Sequence, residues 1–331
     1  MKNTTRAQVL ARGAMLLSFT FCLSPEGALA AIPPAQRSAL VDLYNSTNGD
    51  SWVDNSNWKM PPLGPDGFAM PGTENTWHGI TCSVGNSTVT SISLSSNNLV
   101  GGIPASMGDL PNLQQLRLAS NLLVGSIPAF ASNPALTDLD LRSNQLSGSI
   151  PSFVSNTGLT ILRLSSNQLI GPVHSTLGSL SNLSTGGLDL RWNALKSTDG
   201  ALVAFLDSKQ VGGDWQSTQT VPVTGLSVTG VLPTHVIVNW TPIPYTGDPG
   251  YYQVFFSMVS GPPHTPFTTV TTNKSATSLT VTGLTPLTPY HFVVQTTTQP
   301  HADNQNTVLS GHSAEVSSAT TPVELMGFEI E

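Results

Sequence analysis

The sequence has little cysteine and little charge for a chain of 331 residues. Its two cysteines are Cys22, in an N-terminal apolar stretch, and Cys82. So few cysteines exclude a disulfide framework, and folding must rest on a packed core. Charged residues make up 9% of the chain, well below the roughly 25% of typical soluble domains. The 29 glycines and 25 prolines favour turns and strands.

Basic residues and long apolar runs are also scarce. The chain has 12 Lys and Arg against 19 Asp and Glu, a net charge of −7 at pH 7. Binding to nucleic acids or to anionic membranes depends on an excess of basic residues, so we expect no nucleic-acid partner. The longest apolar runs are shorter than the about 20 residues that a spanning helix needs, so we expect no membrane span.

Residues 1–30 have the three parts of a secretory signal peptide. Basic residues begin it, an apolar core covers 14–23, and 28–30 provide a small-x-small cleavage site. We therefore expect the mature protein to be secreted or held at the cell surface, with the periplasm as an alternative. Cleavage would leave Cys82 as the remaining cysteine. It is interpreted as a small buried hydrophobe, with a reactive or intermolecular thiol as the alternative.

Residues 89–195 repeat a pattern of leucines that ends in an asparagine. Five segments follow the spacing LxxLxLxxNxL, the last imperfectly, and successive asparagines are 24, 23, 23 and 26 residues apart. A fixed period in this range is the signature of a leucine-rich repeat solenoid, whose units bury their leucines only against their neighbours. The ladder asparagines, as we name them, are Asn97, Asn121, Asn144, Asn167 and Asn193.

The positions within a repeat have distinct structural roles. Leucines alternate with exposed residues on a short parallel strand, and the ladder asparagines satisfy backbone groups in the turn that follows. Four glycines permit a tight bend after that turn: Gly101, Gly125, Gly148 and Gly171. The predicted fold class is therefore an α/β leucine-rich repeat solenoid of about five repeats with a short parallel sheet.

Residues 31–88 precede the repeats and are predicted to form an N-terminal cap. A short amphipathic helix follows Pro33-Pro34 and ends at the Asn48-Gly49 turn. A polar region then contains three tryptophans: Trp52, Trp58 and Trp77. Two interpretations are open. The tryptophans form a platform for a carbohydrate, or they plug the open end of the solenoid, because a terminal repeat needs a cap for solubility.

The cap and the repeats resemble leucine-rich repeat proteins of the plant-specific type. The resemblance lies in ALVDLYNSTNGDSW, in WHGITC and in the motif L-x-G-x-I-P, which occurs at residues 99–104, 123–128 and 146–151. In that family two cysteines of the cap are paired, and this chain has Asn75 at the position of the first. Caps without this disulfide resemble those of bacterial secreted proteins. The family includes receptor ectodomains and inhibitors, so the resemblance implies binding.

The C-terminal part of the chain changes to other patterns. Residues 196–219 are predicted to hold a capping helix and a linker. Residues 220–322 alternate β segments and turns at the spacing of a β-sandwich. The stretch from Leu284 to Tyr290 resembles the tyrosine corner of fibronectin type III domains, which implies an all-β sandwich of that type. Residues 323–331 form a tail of unassigned role.

No pattern in the sequence carries the chemistry of an enzyme. The seven histidines show no metal-ligand spacing, and neither a phosphate loop nor a dinucleotide fingerprint is present. Ser313 lies in SGHSAE, which resembles a nucleophile elbow, but Glu315 replaces the second glycine. We therefore predict no enzyme activity, no catalytic residue, no cofactor and no metal site.

Binding remains, and the repeat pattern indicates where it would occur. The non-leucine strand positions face the concave surface, which is the usual ligand surface of a solenoid. Four of the nine Lys and Arg residues after residue 30 fall on this face. The candidate ligand-binding residues are Arg117, Asp138, Asp140, Arg142, Ile161, Arg163, Asp189, Arg191 and Trp192. A further predicted column of the same face is Ser96, Ser120, Ser143, Ser166 and Trp192.

Two interpretations of this face are open. Arginine and tryptophan are enriched at binding hot spots, so the face suits a polar or anionic partner, which would be a protein, a peptide or a glycan. Alternatively, charges on strands about 4.8 Å apart form a self-satisfied ion-pair ladder of Arg117, Asp140, Arg163 and Asp189. The first interpretation predicts an exported, monomeric, non-enzymatic recognition protein. The second predicts a structural adhesion or scaffold module of the cell surface or matrix.

Overall fold

The computed structural model describes residues 31–323. The signal peptide predicted for residues 1–30 and residues 324–331 of the predicted tail lie outside this range. The described chain runs from an N-terminal cap through a solenoid to a second helix, and ends in a β-sandwich. Within this range, no helix combines the length and the apolar character needed to cross a membrane.

The first strand of each repeat builds the concave sheet. Its strands, in order, are β1 (Ile80–Cys82), β2 (Val89–Ser93), β4 (Gln115–Arg117), β6 (Asp138–Asp140), β8 (Ile161–Arg163) and β10 (Leu188–Asp189). The strands from β2 onward are parallel, and β1 of the cap runs antiparallel to β2. The central residues of neighbouring strands, such as Leu116 and Leu139, are fully buried. The strand positions on either side of them therefore lie on the concave face.

A second parallel sheet follows the turn in each repeat. Its strands are β3 (Val100–Gly102), β5 (Leu122–Ser126), β7 (Gln145–Gly148), β9 (Gln168–Pro172) and β11 (Ala194–Lys196). Gly101 in β3 has φ +128°, and a Cβ atom there would lie 2.0 Å from the carbonyl oxygen of Ser46 in the cap. A side chain is therefore excluded where the first repeat meets the cap. The predicted solenoid is confirmed, although the sequence predicted one sheet and the structure has two.

The ladder asparagines connect neighbouring repeats. The side-chain amide of Asn144 donates to the carbonyls of Leu118 and Leu141 at 3.0 and 3.1 Å, and its Oδ1 accepts from the amide of Leu123 at 3.0 Å. Asn144 is only 2% exposed. Each such residue thus satisfies backbone groups that the turn would otherwise bury without partners. The predicted role of these asparagines is confirmed.

The cap closes the N-terminal end with helix α1 (Pro34–Ser46) and a cluster of aromatic rings. Trp52, Trp58 and Trp77 are all buried, and the rings of Trp58 and Trp77 lie 4.7 Å apart. The ring of Tyr44 in α1 packs at a tilt against that of Trp52, with the ring centroids 5.0 Å apart. A carbohydrate platform must expose its ring faces, so that interpretation is wrong, and the tryptophans plug the solenoid as the alternative predicts.

A buried ion cluster ties α1 to the loop of the cap. Arg37 donates to Asp66 at 2.6 and 3.0 Å, to the carbonyl of Ala69 at 2.6 Å, and to Glu74. The Glu74 side chain is 1% exposed and also accepts from the amide of Gly72 at 2.8 Å. Hydrogen bonds on several sides are what allows such charges to be buried.

Asn75 and Cys82 lie together, at the two positions for which the resemblance to plant-type caps implied paired cysteines. The Oδ1 of Asn75 accepts a hydrogen bond from the backbone amide of Cys82 at 3.0 Å, so a polar contact joins the two segments. Cys82 is half-buried on β1 and not fully buried as predicted, because its strand is the edge of the concave sheet. Burial, helped by the charge of Glu74, raises the pKa of its thiol to about 11. A thiol with that pKa is protonated and unreactive at neutral pH.

Helix α2 (Gly200–Lys209) closes the other end of the solenoid. Asp199 caps its N-terminus by accepting from the amides of Ala201 and Leu202 at 3.0 and 3.1 Å. Leu206 of α2 is fully buried against the last repeat. Gln210, just after the helix, forms a bridge to Leu188 and so continues the concave sheet by one position.

The C-terminal module is a sandwich of two antiparallel sheets. One contains β12 (Thr224–Thr229), β13 (His235–Thr241) and β16 (Ser278–Thr282); the other contains β14 (Gly250–Ser257), β15 (Thr265–Val270), β17 (Pro289–Thr298), β18 (Val308–His312) and β19 (Val316–Ala319). Trp240 and Tyr252 pack between the sheets with ring centroids 5.3 Å apart. The hydroxyl of Tyr290 accepts from the amide of Thr285 at 3.0 Å, which is the bond of a tyrosine corner. The predicted all-β sandwich is confirmed.

The sandwich is docked against the solenoid through its loop 301–306, which we name the docking loop. Asn304 donates to the carbonyls of Asn167 and Trp192 at 3.3 and 2.9 Å. Asn306 donates to the carbonyls of Asn144 and Ser166 at 2.6 and 3.3 Å. Thr220 of the linker contacts both modules. Its backbone amide donates to the carbonyl of Asn193 in the solenoid, and its hydroxyl forms a hydrogen bond with that of Thr298 in the sandwich at 2.7 Å. Buried bonds of this kind are typical of a fixed junction.

Candidate functional site

The register of the concave sheet brings most of the predicted residues together. Arg117, Asp140, Arg163 and Asp189 are neighbours in one row across β4, β6, β8 and β10. Asp138 and Ile161 are neighbours in the row beside it. Arg142 and Arg191 follow two residues after the aspartates of the first row. Eight of the nine predicted residues therefore lie on one continuous surface.

Ion pairs on this surface differ from the predicted ladder. Arg117 donates to Asp138 through Nε at 2.9 Å and Nη2 at 2.6 Å, one strand away and in the neighbouring row. Arg191, which follows the end of β10, makes a two-point contact with Asp189, two residues earlier in the chain, at 2.9 Å for both bonds. Long side chains reach a diagonal partner, or one two residues away in the chain, as easily as the residue directly opposite. The predicted pairing of Arg117 with Asp140 is therefore wrong, and so is that of Arg163 with Asp189.

Asp140 is shared between two arginines. Its Oδ2 lies 3.4 Å from Nη2 of Arg142 and 3.8 Å from Nη1 of Arg163. Both distances exceed the 2.7–3.2 Å range of N–H···O hydrogen bonds. The guanidinium groups of Arg142 and Arg163 therefore keep N–H donors that Asp140 does not use.

The surface carries four arginines and three aspartates, and the aspartate side chains are more deeply buried than those of the arginines. Side chains of Asp138 and Asp140 are 7% exposed, whereas those of Arg117 and Arg142 are 43% and 44% exposed. Burial raises the pKa of Asp140 despite the nearby Arg142 and Arg163. Burial acts in the same direction on Asp189, but hydrogen bonds from Arg191 and Gln210 lower the pKa of that carboxyl overall. Two exposed and two partly exposed guanidinium groups thus lie over three buried carboxylates.

Trp192 lies at the rim of this surface and not on a strand. Its backbone has φ +54°, and its carbonyl accepts from Asn304 of the docking loop. The guanidinium carbon of Arg191 lies 4.4 Å from the centre of the indole ring, which is a cation–π contact. Trp192 therefore supports Arg191 and takes part in the junction between the two modules.

The predicted serine column does not face the concave surface. The same left-handed backbone occurs at each of its positions, with φ between +54° and +57°: Ser96, Ser120, Ser143, Ser166 and Trp192. These residues form the turn between the two sheets, and Ser166 donates its hydroxyl to the carbonyl of Asp303 at 2.6 Å. The sequence pattern missed this because LxxLxLxxN does not mark where the strand ends.

Asn304 and Asn306 are residues of the junction that sequence reasoning missed. Both are buried although they belong to a loop between β17 and β18. The only signal in the sequence is the run Asp-Asn-Gln-Asn, and side chains of this kind are common in solvated turns. Their partners are carbonyls at least 112 residues away, which no local pattern indicates.

Ser313 belongs to the sandwich and not to the concave surface. The hydroxyl of Ser313 accepts from the amide of Val294 at 2.9 Å and donates to the carbonyl of Ala314 at 2.9 Å, so it is held in the sandwich sheet. Over residues 31–323, no group of three or more His, Cys, Asp or Glu side chains is placed to hold a metal ion. The concave surface is thus the candidate site, and its chemistry is that of guanidinium donors.

Family models match both parts of the chain. The model described as "Fibronectin type III domain" matches residues 221–309. The model described as "Leucine Rich Repeat" matches residues 88–110 and 135–157. A search of curated proteins gives no match.

Several solved structures are similar to parts of the chain. The leucine-rich repeat ectodomain of the receptor kinase SOBIR1 from Arabidopsis thaliana is 29% identical, with 50% of this chain and 84% of that chain covered and a TM-score of 0.39. The BIR2 ectodomain from Arabidopsis thaliana is 26% identical, with coverages of 53% and 88% and a TM-score of 0.44. A fibronectin type III domain derived from human KIAA0970 protein is 16% identical, with coverages of 33% and 80% and a TM-score of 0.26.

Proposed function

We propose that this chain, a leucine-rich repeat protein with a C-terminal fibronectin type III domain, is a recognition protein that binds its partner on the concave face of the solenoid. The partner would be a protein, a peptide or a glycan with acceptor groups on its surface. The observation that carries the proposal is the excess of guanidinium groups, because Arg142 and Arg163 share the single carboxylate of Asp140 at 3.4 and 3.8 Å. We further propose that the protein is exported and monomeric.

The buried aspartates prepare the arginines for binding. An arginine carries five N–H donors, and a two-point contact with a carboxylate uses two of them. Asp189 and Asp138 thus orient Arg191 and Arg117 and leave further N–H donors on each guanidinium group. A side chain that is held before the partner arrives loses less rotamer entropy on binding, so the surface is preorganised.

An apolar position lies among these charges. Ile161 is the neighbour of Asp138 across β6 and β8 and is partly exposed. Contact with Ile161 would exclude water from the arginines on either side, and a charge-assisted hydrogen bond is stronger where water is excluded. The combination suits a partner with an acidic or hydroxyl-rich surface and a small apolar group.

Binding without catalysis fits both kinds of module. Leucine-rich repeats and fibronectin type III domains are typically non-enzymatic binding modules, and function depends on the residues that a fold displays. The concave surface displays donors and no pair of groups placed as nucleophile and base.

A scaffold without a specific ligand is the second candidate. It is favoured by the two-point pairs Arg117–Asp138 and Arg191–Asp189, which satisfy each other within the chain. Exposed pairs of this kind contribute at most about 1 kcal/mol to folding, so they do not require a stabilising role. The two candidates differ in what Arg142 and Arg163 do, and this difference can be measured.

The test is capture of a defined partner from the native extracellular milieu by the immobilised protein. Arg142→Gln/Arg163→Gln should abolish capture, whereas Lys59→Gln/Lys196→Gln removes the same charge away from the concave face and should leave capture unchanged. Adding Asp140→Asn to the arginine variant removes the unpaired buried carboxylate, so a loss that persists in this triple variant is a loss of binding and not of folding. Equal capture by wild type and arginine variant, or none by wild type, favours the scaffold.

A further inference from the structure

The backbone carbonyls of the ladder asparagines form a row along the edge where the two sheets of the solenoid meet. Four of the five accept a hydrogen bond from elsewhere in the chain. The carbonyl of Asn97 accepts from the amide of Val53, and that of Asn193 from the amide of Thr220, at 3.1 and 2.8 Å. Those of Asn144 and Asn167 accept from the docking loop. The cap, the linker and the sandwich thus each cover part of the row.

Asn121 is the exception in this row. Within residues 31–323, no donor reaches its backbone carbonyl, although its side chain makes the full set of ladder bonds. The carbonyl of Ser143 lies beside it and accepts only the amide of Asn121, at 3.2 Å, among the described residues. Asn121 is only 7% exposed, and a backbone acceptor in a residue with so little access to solvent usually has a partner. The carbonyls of Asn121 and Ser143, which we call the open step of the row, are therefore suited to a donor from outside the chain.

The docking loop shows what kind of donor the row accepts. One nitrogen of Asn306 donates to two carbonyls, those of Asn144 and Ser166. One nitrogen of Asn304 does the same one repeat further on, with Asn167 and Trp192. Each of these two steps is therefore a pair of carbonyls, one from a ladder asparagine and one from the residue with left-handed backbone in the next repeat. Asn121 and Ser143 form the same step one repeat earlier.

Asn121 and Ser143 of the open step line a cleft between the two modules. The cleft has a volume of about 520 Å³. The turn residue Ser120 and the first residues of β5 and β7, Leu122 and Gln145, line one side. Asp303 and Gln305 of the docking loop line the other. Hydroxyl and amide groups thus surround a side chain, Leu122, that is 44% exposed. The cleft is large enough for a few residues of an extended peptide.

We propose that this cleft binds an extended peptide segment of a partner through a primary carboxamide, the side chain of asparagine or glutamine. Its nitrogen donates to the carbonyls of Asn121 and Ser143, in the position that Asn304 and Asn306 hold at the next two steps. Two N–H groups on one nitrogen are required, which an N-acetyl group does not have. A neutral amide also enters a partly buried cleft at lower desolvation cost than an ammonium group.

The cleft and the concave face are separate sites. The two acceptors of the cleft are backbone carbonyls on the turn, whereas the concave face acts through arginine side chains on the strands. Each site can therefore exist without the other, and failure of one test does not decide the other.

The experiment titrates the ¹⁵N-labelled protein with a peptide that copies residues 302–307, capped as an N-acetyl and N-methyl amide. We expect the amide signals of Asn121, Ser143 and Gln145 to shift as the peptide binds, with a Kd of about 1 to 10 mM. That Kd corresponds to a binding free energy of roughly −4 to −3 kcal/mol. A peptide with leucine in place of its asparagine and glutamine residues keeps their approximate shape without the donors, and should bind at least tenfold more weakly.

The tryptophan of the fifth repeat suggests two variants, one that blocks the cleft and one that is its matched control. Trp192 has the same left-handed backbone as Ser143 and Ser96, so Ser143→Trp and Ser96→Trp place an indole at a position that tolerates it. Ser143→Trp should block the cleft and remove the shifts, whereas Ser96→Trp should not, with both variants melting like wild type. Equal binding of the leucine peptide, tighter binding of a lysine peptide, or no shift at 10 mM would overturn the proposal.

Discussion

The side-chain nitrogen of Asn306 lies 2.6 Å from the backbone carbonyl of Asn144, although 162 residues separate them in the chain. This bond joins the docking loop of the sandwich to the ladder of the solenoid. Asn304 makes the equivalent bonds one repeat further on. The sandwich therefore does not act as a flexibly tethered spacer, and its orientation toward the concave face is set by the ladder itself.

The first prediction concerns this junction. Asn306→Asp keeps the shape of the side chain but replaces its two donors with acceptors that face carbonyls. We expect the free energy of unfolding to fall by roughly 2 kcal/mol, because the buried carbonyl of Asn144 loses its partner and that of Ser166 keeps only the amide of Asn144. Scanning calorimetry should show one shared transition for wild type and separate transitions of solenoid and sandwich for the variant. Thr307→Asp adds the same charge at an exposed neighbour and should leave the shared transition intact; two transitions in wild type would contradict the account.

A second prediction concerns the ion cluster of the cap. Arg37→Met leaves the carboxylate of Glu74, 1% exposed, without its cation, so we expect a loss of about 3–5 kcal/mol measured by urea unfolding. Arg37→Met/Glu74→Gln removes both charges and should recover part of that loss. Lys59→Met breaks the exposed pair with Asp50 and should cost less than about 1 kcal/mol. Equal losses from Arg37→Met and Lys59→Met would show that burial of the cluster is unimportant.

The ladder asparagines give a third prediction. Asn144→Ala removes a side chain that satisfies the amide of Leu123 and the carbonyls of Leu118 and Leu141, so we expect a loss of roughly 3 kcal/mol or more in the free energy of unfolding. Asn112→Ala removes an exposed amide with a single bond to Thr88 and should cost under about 0.5 kcal/mol. Chemical denaturation of both variants measures the difference, and a small effect at Asn144 would refute the ladder's structural role.

A fourth prediction concerns acid stability of the sandwich. Hydrogen bonds from the hydroxyl of Ser260 and the amide of Gly261, with contacts to His264 and His291, lower the pKa of Glu315 to about 2 from its ordinary 4.5. A carboxyl whose pKa is lower in the folded state stabilises the fold above its unfolded pKa, and this contribution is lost as the pH falls toward the folded pKa. Urea unfolding should show wild type more stable than Glu315→Gln at about pH 6, with the gap closing between pH 4.5 and 2. A gap independent of pH would assign the effect to packing.

Much of the fold could be predicted because its signals are local and repeated. The interval between ladder asparagines specifies the solenoid, since each repeat must place its leucines and its asparagine in the same way as the last. Tyr290 and its spacing from Leu284 identified the sandwich for a similar reason, because the tyrosine corner is formed within a few residues.

The rest depended on contacts that no local pattern encodes. The pattern placed Arg117 and Asp138 on the same face, but which carboxylate each arginine contacts depends on side-chain rotamers and diagonal reach. The left-handed turn at Ser143 and its equivalents has no marker such as glycine, so the serines were assigned to the wrong surface. The docking of Asn304 joins two modules whose sequences are unrelated, and it could only be found in the assembled structure.

The central claim, that the concave face is where a partner binds, is tested most directly by photo-crosslinking from Ile161. A benzophenone side chain at this partly exposed position, in the protein exposed to its native extracellular milieu, should form one defined adduct. That adduct should disappear with Arg142→Gln/Arg163→Gln, and a benzophenone at Val154, which is 61% exposed and away from the concave sheet, should not form it. No adduct from Ile161, or the same adduct from both positions, would contradict the claim.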